Sequence, residues 1–99
     1  MAMSEIFEAH ITYERVHADK VKEASEATGW KFSQIDGDPV LGQQVRCYLT
    51  HYDKSSSKLL ESMDKVARIL TDLGIPNIRR KIECIVYDTA TNINRLAAK

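Results

Sequence analysis

Cysteine, proline and glycine are all scarce in this chain of 99 residues, which contains two cysteines, two prolines and four glycines. The two cysteines form no C-x-x-C pair and no cluster with histidines at zinc-ligand spacing. We therefore expect no disulfide framework, no metal and no cofactor. The sequence also lacks internal repeats, low-complexity tracts and interdomain linkers, so we expect residues 1–99 to form a single domain.

An excess of charge of one sign is also lacking, because 14 Lys and Arg residues balance 14 Asp and Glu residues. Binders of nucleic acids or of membrane surfaces normally carry a basic excess, so neither function is expected. No stretch is long and apolar enough to span a bilayer. The first ten residues, MAMSEIFEAH, show no basic segment followed by an apolar run, so no signal peptide is expected. A cytoplasmic protein with reduced thiols is the expectation.

The sequence does contain clear hydrophobic periodicity, with 43% apolar and 28% charged residues, as in ordinary globular proteins. Asp19 is a candidate cap for the first helix, and Gly29 is a candidate left-handed stop. Ser55 is a candidate cap for the second helix, and DGDP (Asp36–Pro39) is typical of a turn. The predicted elements are strands at 6–16, 30–35, 44–52 and 78–88, helices at 19–28 and 55–73, and a frayed tail or short helix at 89–99.

The order strand, helix, strand, strand, helix, strand resembles the ferredoxin-like fold across nearly the whole chain. This resemblance implies an α+β sandwich with a four-stranded antiparallel sheet in the order 4-1-3-2 and two helices on one face. The clustered cysteines of iron–sulfur ferredoxins are missing, so the resemblance is one of architecture. Cys47 and Cys84 would point into the core on strands separated by the first strand. They would lie about 10 Å apart, beyond the reach of a disulfide.

Alternation within FEAHITYER (residues 7–15) predicts that one side of the first strand is polar. The predicted topology leaves this side uncovered by the helices, while apolar residues point at them: Phe7, Ile11, Val45, Leu49, Ile82 and Val86. The uncovered face collects polar residues from three strands: Glu8, His10, Thr12, Glu14, Arg46, Tyr48, Thr50, Arg79, Lys81, Glu83 and Tyr87. Trp30 and Phe32, with Tyr48 and Tyr87, are expected to spread aromatic surface toward the same face.

Three interpretations of this face remain open. It is a solvated surface with charges paired across strands, a binding or assembly surface, or a catalytic site. A non-catalytic binding or assembly module would use the face to pair with a second copy, as a homodimer, or with another partner. An enzyme acting on a small molecule or phosphoester would use His10 as acid or base together with Thr12, and Glu8 or Glu83 would orient the imidazole. Arg46 and Lys81 would bind an anion there, and the candidate residues for a small anionic ligand are Glu8, Arg46, Tyr48, Arg79 and Lys81. We favour the module, and the sequence leaves open whether the protein is an enzyme.

The tetrapeptide HITY at residues 10–13 resembles one copy of the H-x-T motif of the two-histidine phosphoesterases. In that family two such motifs face each other, with histidines as acid and base and threonines holding the phosphate. The resemblance implies these roles for His10 and Thr12. No second H-x-T occurs in this chain, because His51 is followed by Tyr52 and Asp53. Only two paired copies of the chain would rebuild the family's site.

Overall fold

The computed structural model describes the backbone of residues 3–35, 45–88 and 93–94, and the side chains of residues 5–34 and 45–85. The turn expected at Asp36–Pro39 lies outside these ranges. The elements are β1 (Met3–Glu14), a 3-10 helix (Arg15–His17), α1 (Ala18–Thr28), β2 (Lys31–Ile35), β3 (Arg46–Asp53), α2 (Ser56–Asp72), β4 (Arg79–Asp88) and β5 (Ile93–Asn94). No helix in the described ranges is long and apolar enough to cross a membrane.

The strands form one antiparallel sheet in the order β2-β3-β1-β4-β5. The α+β fold and the order of its four long strands are confirmed. In β1, the central strand, Ile11 lies opposite Leu49 on β3 and Arg80 on β4, whereas His10 lies opposite Thr50 and Lys81. Successive side chains of a strand point to opposite faces, so this register separates a core face from an open face.

The core lies between one face of the sheet and the two helices. Its fully buried members from the sheet are Ala9, Ile11, Tyr13, Cys47 and Leu49, and the helices add Val21, Leu59 and Leu70. Phe7 and Ile82 pack against this cluster with partial exposure. These positions agree with the predicted core face, and the side chain of Val86 lies outside the described ranges.

Trp30 and Phe32 do not lie where the sequence analysis placed them. Trp30 is only 1% exposed, and its indole N–H donates a hydrogen bond of 3.0 Å to the hydroxyl of Ser62 on α2. The ring also stacks on His51, with 5.2 Å between ring centroids. Phe32 packs against the core cluster. The prediction of an aromatic open face is therefore wrong for both residues, because the gap between sheet and helices accommodates these large rings.

The two helices end as predicted, but only one begins as predicted. Gly29 and Gly74 have φ of 81° and 82°, a left-handed conformation that glycine adopts without strain. At the start of α2 the hydroxyl of Ser55 accepts a 3.3 Å hydrogen bond from the Lys58 N–H. Asp19 does not cap α1, because His17 occupies the N-cap position and Asp19 lies within the first turn. There its carboxylate still interacts favourably with the helix dipole.

The apolar stripe of α2 is narrower than its sequence suggests. Its buried residues are Leu59, Met63, Val66, Ala67 and Leu70. Leu60, Ile69 and Leu73 are exposed by 47%, 45% and 61%. A single helix on a sheet buries only the part of its circumference that faces the strands, so these three side chains fall outside the contact.

The chain end differs from the expected frayed tail or short helix. Ile93 and Asn94 form β5, which pairs with Asp88 and Tyr87 of β4. The edge of β4 offers unpaired N–H and C=O groups, and β5 satisfies some of them. The other residues of the tail lie outside the described ranges.

Both cysteines are free, as the predicted strand order requires. Cys47 is fully buried, and its thiol donates a weak hydrogen bond of 3.7 Å to the carbonyl oxygen of Glu14. Cys84 is half-buried and donates to a carboxylate oxygen of Glu5 at 3.8 Å. Burial raises the pKa of the Cys47 thiol above its usual value. Desolvation and the neighbouring Glu5 carboxylate raise the pKa of the Cys84 thiol as well. A raised pKa disfavours the reactive thiolate form of both groups.

Candidate functional site

The register of β3, β1 and β4 brings the predicted polar residues together on the open face. Glu8 lies opposite Glu83, and His10 lies opposite Lys81 on one side and Thr50 on the other. Thr12 lies between Tyr48 and Arg79 in the same way. Arg46, the first residue of β3, lies opposite Glu14, the last residue of β1. The alternation along three strands therefore produces one continuous polar surface.

His10, at the centre of this surface, has both ring nitrogens engaged. Its Nε2 lies 2.9 Å from a carboxylate oxygen of Glu8, and its Nδ1 lies 3.1 Å from the hydroxyl of Thr50. The neutral ring would donate from Nε2 to Glu8 and accept from Thr50 at Nδ1. The side chain is 27% exposed. The imidazole is thus held in a fixed orientation by two neighbours.

Glu8 is the most enclosed carboxylate of the surface, with 14% of its side chain exposed. Partial burial favours its neutral form, but hydrogen bonds from Tyr52 and His10 outweigh that cost. Together with the nearby charge of Lys81 they hold the pKa of Glu8 below its usual value. The same hydrogen bond to Glu8 raises the pKa of the Tyr52 phenol. Glu8 is therefore an anion near neutral pH.

The remaining ion pair joins Lys81 to Glu83, with 3.4 Å between the ammonium nitrogen and a carboxylate oxygen. Among the described residues of this face, the two close contacts between a carboxylate and a basic side chain therefore run along a strand, Glu8 with His10 on β1 and Lys81 with Glu83 on β4. Across the strands, Glu8 lies opposite Glu83 and His10 lies opposite Lys81. The interpretation with opposite charges across strands agrees with Glu14 opposite Arg46 and disagrees with Glu8 opposite Glu83.

A concavity of about 510 Å³ opens beside His10. Its lining is basic and hydroxyl-rich: His10, Thr12, Ser33, Arg46, Tyr48, Thr50, Ile78, Arg79 and Lys81. None of the described lining residues is a carboxylate. Among the described residues, Arg46 and Arg79 have no ion-pair or hydrogen-bond partner for their guanidinium groups. Two guanidinium groups with unused donors therefore face the same open space.

The structure brings all eight predicted site residues onto one face, but it divides them into two groups. Thr12, Arg46, Tyr48, Arg79 and Lys81 line the concavity together with His10. Glu8 and Glu83 do not line it and form the ion pairs described above. The side chain of Tyr87 lies outside the described ranges.

The sequence analysis did not predict that several other residues contact or line the site. Tyr52 continues the alternation of β3, so the pattern itself could have indicated its contact with Glu8. Ser33 lies on β2 opposite Tyr48, a pairing that depends on the register between two strands. Ile78 is placed by the hydrogen bond of 2.7 Å from its N–H to the Thr12 carbonyl oxygen. No local signal in the sequence indicates these last two positions.

Three ligand atoms suited to a cation also come together on the surface. One atom each from Glu8, His10 and Glu83 lie within 4.8 Å of one another. Glu83 reaches this group from β4, more than 70 residues along the chain from the other two. No metal was expected because the sequence shows no metal-ligand spacing. Spacing along the chain does not reveal a grouping that forms across two strands.

No protein-family model and no curated protein sequence matches the chain. Among solved structures, one similar protein is CPII bound to ADP and bicarbonate, from Thiomonas intermedia, with a TM-score of 0.53 and 8% identity over 91% of this chain and 95% of that one. A second is a PII-like signalling protein from Thermus thermophilus, with a TM-score of 0.46 and 14% identity over 92% and 97% of the two chains. A third is the regulatory subunit of aspartate kinase from the same organism, with a TM-score of 0.42 and 17% identity over 86% and 57%.

At these levels of identity the likeness to CPII establishes a shared fold and nothing about shared residues. The ferredoxin-type architecture is thereby confirmed. The resemblance of HITY to the two-histidine phosphoesterases finds no support among these proteins.

Proposed function

We propose that this protein is a non-catalytic binding module that holds a small anion in the concavity on the open face of its sheet. The ligand carries a phosphate or carboxylate group. The observation that carries the proposal is that the guanidinium groups of Arg46 and Arg79 line the concavity without a partner among the described residues. Arginine presents a planar set of donors that matches both kinds of anion.

The other lining residues support an anion in the same way. Lys81 adds a third positive charge, and the hydroxyls of Thr12, Ser33 and Thr50 are donors that an oxyanion accepts. The ring of Tyr48 adds a flat apolar surface. The lining residues that the structure describes include three cations and no carboxylate, although the whole chain has no net charge.

The engagement of His10 argues against the alternative, an enzyme with His10 as acid or base. A catalytic imidazole must exchange a proton with substrate, so a substrate would have to displace the Thr50 hydroxyl from Nδ1. Of the two carboxylates expected to orient the imidazole, Glu8 contacts its Nε2 and Glu83 contacts Lys81 instead. We therefore assign His10 and Thr12 to the wall of a binding site.

The comparison with CPII suggests which ligands to test first. That protein is described as binding ADP and bicarbonate, and it shares the fold. Both are anions, and both are small enough to enter a concavity of about 510 Å³ at least in part. ADP, inorganic phosphate and bicarbonate are thus the first probes.

The test is a calorimetric titration of each probe into the full chain, with matched arginine variants. We expect saturable binding of at least one probe, and a loss of affinity of at least about tenfold in Arg46→Gln and in Arg79→Gln, because each removes a charge-assisted hydrogen-bond donor. Arg68→Gln is the control, since Arg68 is exposed on α2 in the other layer of the fold. Binding should also raise the melting temperature by mass action.

Two results would contradict the proposal. One is that none of the three anions binds at millimolar concentration. The other is binding that Arg46→Gln, Arg79→Gln and Arg68→Gln weaken equally, because that pattern indicates general attraction of charge and not a site. The enzymatic alternative would be supported if the protein hydrolysed a phosphoester and His10→Ala abolished that activity.

The expected homodimer and the cytoplasmic location stay predictions. A dimer formed through the open face would cover the concavity or complete it with residues of a second copy. Light scattering at several concentrations measures the mass, and a dimer that dissociates on Tyr48→Ala would involve this face.

A further inference from the structure

Two carboxylates at the centre of the open face are arranged unfavourably for a surface that serves only folding. Glu8 lies directly opposite Glu83, while Lys81 lies opposite His10. Like charges directly opposite each other destabilise a sheet. Exchanging the residues at 81 and 83 would place a lysine opposite Glu8 with the same composition. Solubility alone therefore does not explain the observed order of Lys81 and Glu83 along β4.

We propose that Glu8, His10 and Glu83 bind a divalent transition-metal ion of the Zn²⁺ type. A cation between the two carboxylates would convert their repulsion into shared coordination. The three ligand atoms already lie within 4.8 Å of one another. In a tetrahedral site with bonds of about 2.0–2.2 Å they would be roughly 3.4 Å apart. Side-chain movements on the order of 1 Å close that difference, and all three side chains are partly exposed.

The donor set selects the kind of ion. One imidazole nitrogen with two carboxylate oxygens suits zinc and its neighbours among the first-row metals. Calcium and magnesium prefer oxygen ligands throughout, so the histidine disfavours them. Three protein ligands leave at least one coordination position for water or an anion. His10 lines the concavity, so this position belongs to the same surface.

Hydrogen bonds with neighbouring residues would orient two of the three ligands, His10 and Glu8, toward a metal ion. With the ion on Nε2 of His10, the ring proton resides on Nδ1 and is donated to the hydroxyl of Thr50, which lies 3.1 Å away. Such a partner on the second nitrogen is the usual companion of a metal-bound histidine. Tyr52 donates a hydrogen bond to Glu8 and orients that carboxylate.

Lys81 is the competitor that the ion must displace. Its ammonium nitrogen lies 3.4 Å from a carboxylate oxygen of Glu83, and it also lines the concavity. Removing this ammonium leaves Glu83 free for the metal. The variants Lys81→Gln and Glu83→Gln should therefore change the affinity in opposite directions.

The test is a titration of ZnCl₂ into the purified full chain in a buffer without phosphate, followed by calorimetry. We expect one ion per chain, and a loss of affinity of at least about tenfold in Glu83→Gln and His10→Gln. Lys81→Gln should bind more tightly than the wild type. The controls are Glu61→Gln, His17→Gln and Cys84→Ser, which remove another carboxylate, another histidine and the half-buried thiol. These three should bind as the wild type does.

Absence of saturable binding would overturn the proposal. So would equal binding by the wild type and Glu83→Gln, or loss of binding in Cys84→Ser. Circular dichroism of each variant checks folding. If His10→Gln unfolds, the opposite changes in zinc affinity expected for Glu83→Gln and Lys81→Gln still test the proposed metal site. Arg46→Gln, which disables the proposed anion site, should retain zinc binding, so the two proposals fail separately.

Discussion

At the scale of single residues, the most unusual group is the hydroxyl of Tyr13. The side chain is fully buried in the core, and none of the described residues offers the hydroxyl a hydrogen-bond partner. Burial raises the pKa of Tyr13 to about 12. A buried polar group without a partner costs about 1–3 kcal/mol in desolvation.

Tyr13→Phe should consequently leave the free energy of unfolding unchanged or raise it by about 1 kcal/mol. The variant keeps the ring in the core and removes only the unpaired oxygen. Urea denaturation monitored by circular dichroism measures the change. Tyr48→Phe is the control, because Tyr48 lies on the open face. A loss of more than about 1 kcal/mol in Tyr13→Phe would mean that the hydroxyl has a favourable contact.

Glu8 makes the stability depend on pH in the acid range. Its pKa is lower in the folded protein than the ordinary value of 4.5. The folded state therefore binds this proton less tightly than the unfolded state does. The resulting stabilisation is fully present above pH 4.5 and is lost as the pH falls through the folded-state pKa.

Glu8→Gln should accordingly be less stable than the wild type at pH 7, and the difference should shrink below pH 4. Urea titrations at both pH values give the comparison. Glu61→Gln, on the exposed side of α2, is the matched control. A difference that stays constant between the two pH values would show that the loss comes from packing and not from the charge of Glu8.

At the scale of the elements, β1 and β4 show that the alternation of a strand determines which face a residue occupies, whereas the register determines which residue lies opposite it. The alternation of each strand correctly predicts which residues share the open face. It does not predict which residue of β4 lies opposite Glu8. That choice depends on register, and the register follows from packing Ile11 and Leu49 between the sheet and the helices.

The charge exchange Lys81→Glu with Glu83→Lys tests this register through stability. It places a lysine opposite Glu8, where two carboxylates now face each other, and leaves the composition unchanged. We expect the free energy of unfolding in metal-free buffer to increase by about 0.2–1 kcal/mol. Lys58→Glu with Glu61→Lys, on α2, controls for exchanging a lysine and a glutamate elsewhere. Destabilisation by the first exchange alone would mean that the attraction between Lys81 and Glu8, which the exchange removes, outweighs the repulsion between Glu8 and Glu83.

At the scale of the whole molecule, Trp30 joins the two layers. Its ring stacks on His51 of β3, and its N–H bonds to Ser62 of α2. It is the only tryptophan in the chain. Because one domain of this size usually unfolds in a single cooperative step, fluorescence from this residue should report on the whole fold.

We expect fluorescence and far-UV circular dichroism to give the same urea midpoint. Trp30→Ala should lower the free energy of unfolding by about 3–5 kcal/mol, because it opens a cavity between the layers. Such a loss is a large part of the roughly 5–15 kcal/mol that is typical of native proteins. Trp30→Phe should cost less, since the ring is largely retained. Separate midpoints for the two signals would indicate that sheet and helices unfold independently.

The sequence by itself determined the order of the two helices and four long strands and the polar residues of the open face on β1, β3 and β4. These follow from periodicity and glycine stops, which are local properties of the chain, and the resemblance of that order to the ferredoxin-like fold implied the topology. The burial of Trp30, the cross-strand position of Glu83 and the lack of a partner for Arg46 and Arg79 among the described residues were decided only by the tertiary structure. Each depends on contacts between segments far apart in sequence. Such contacts are set when the core packs, and alternation along one strand carries no information about them.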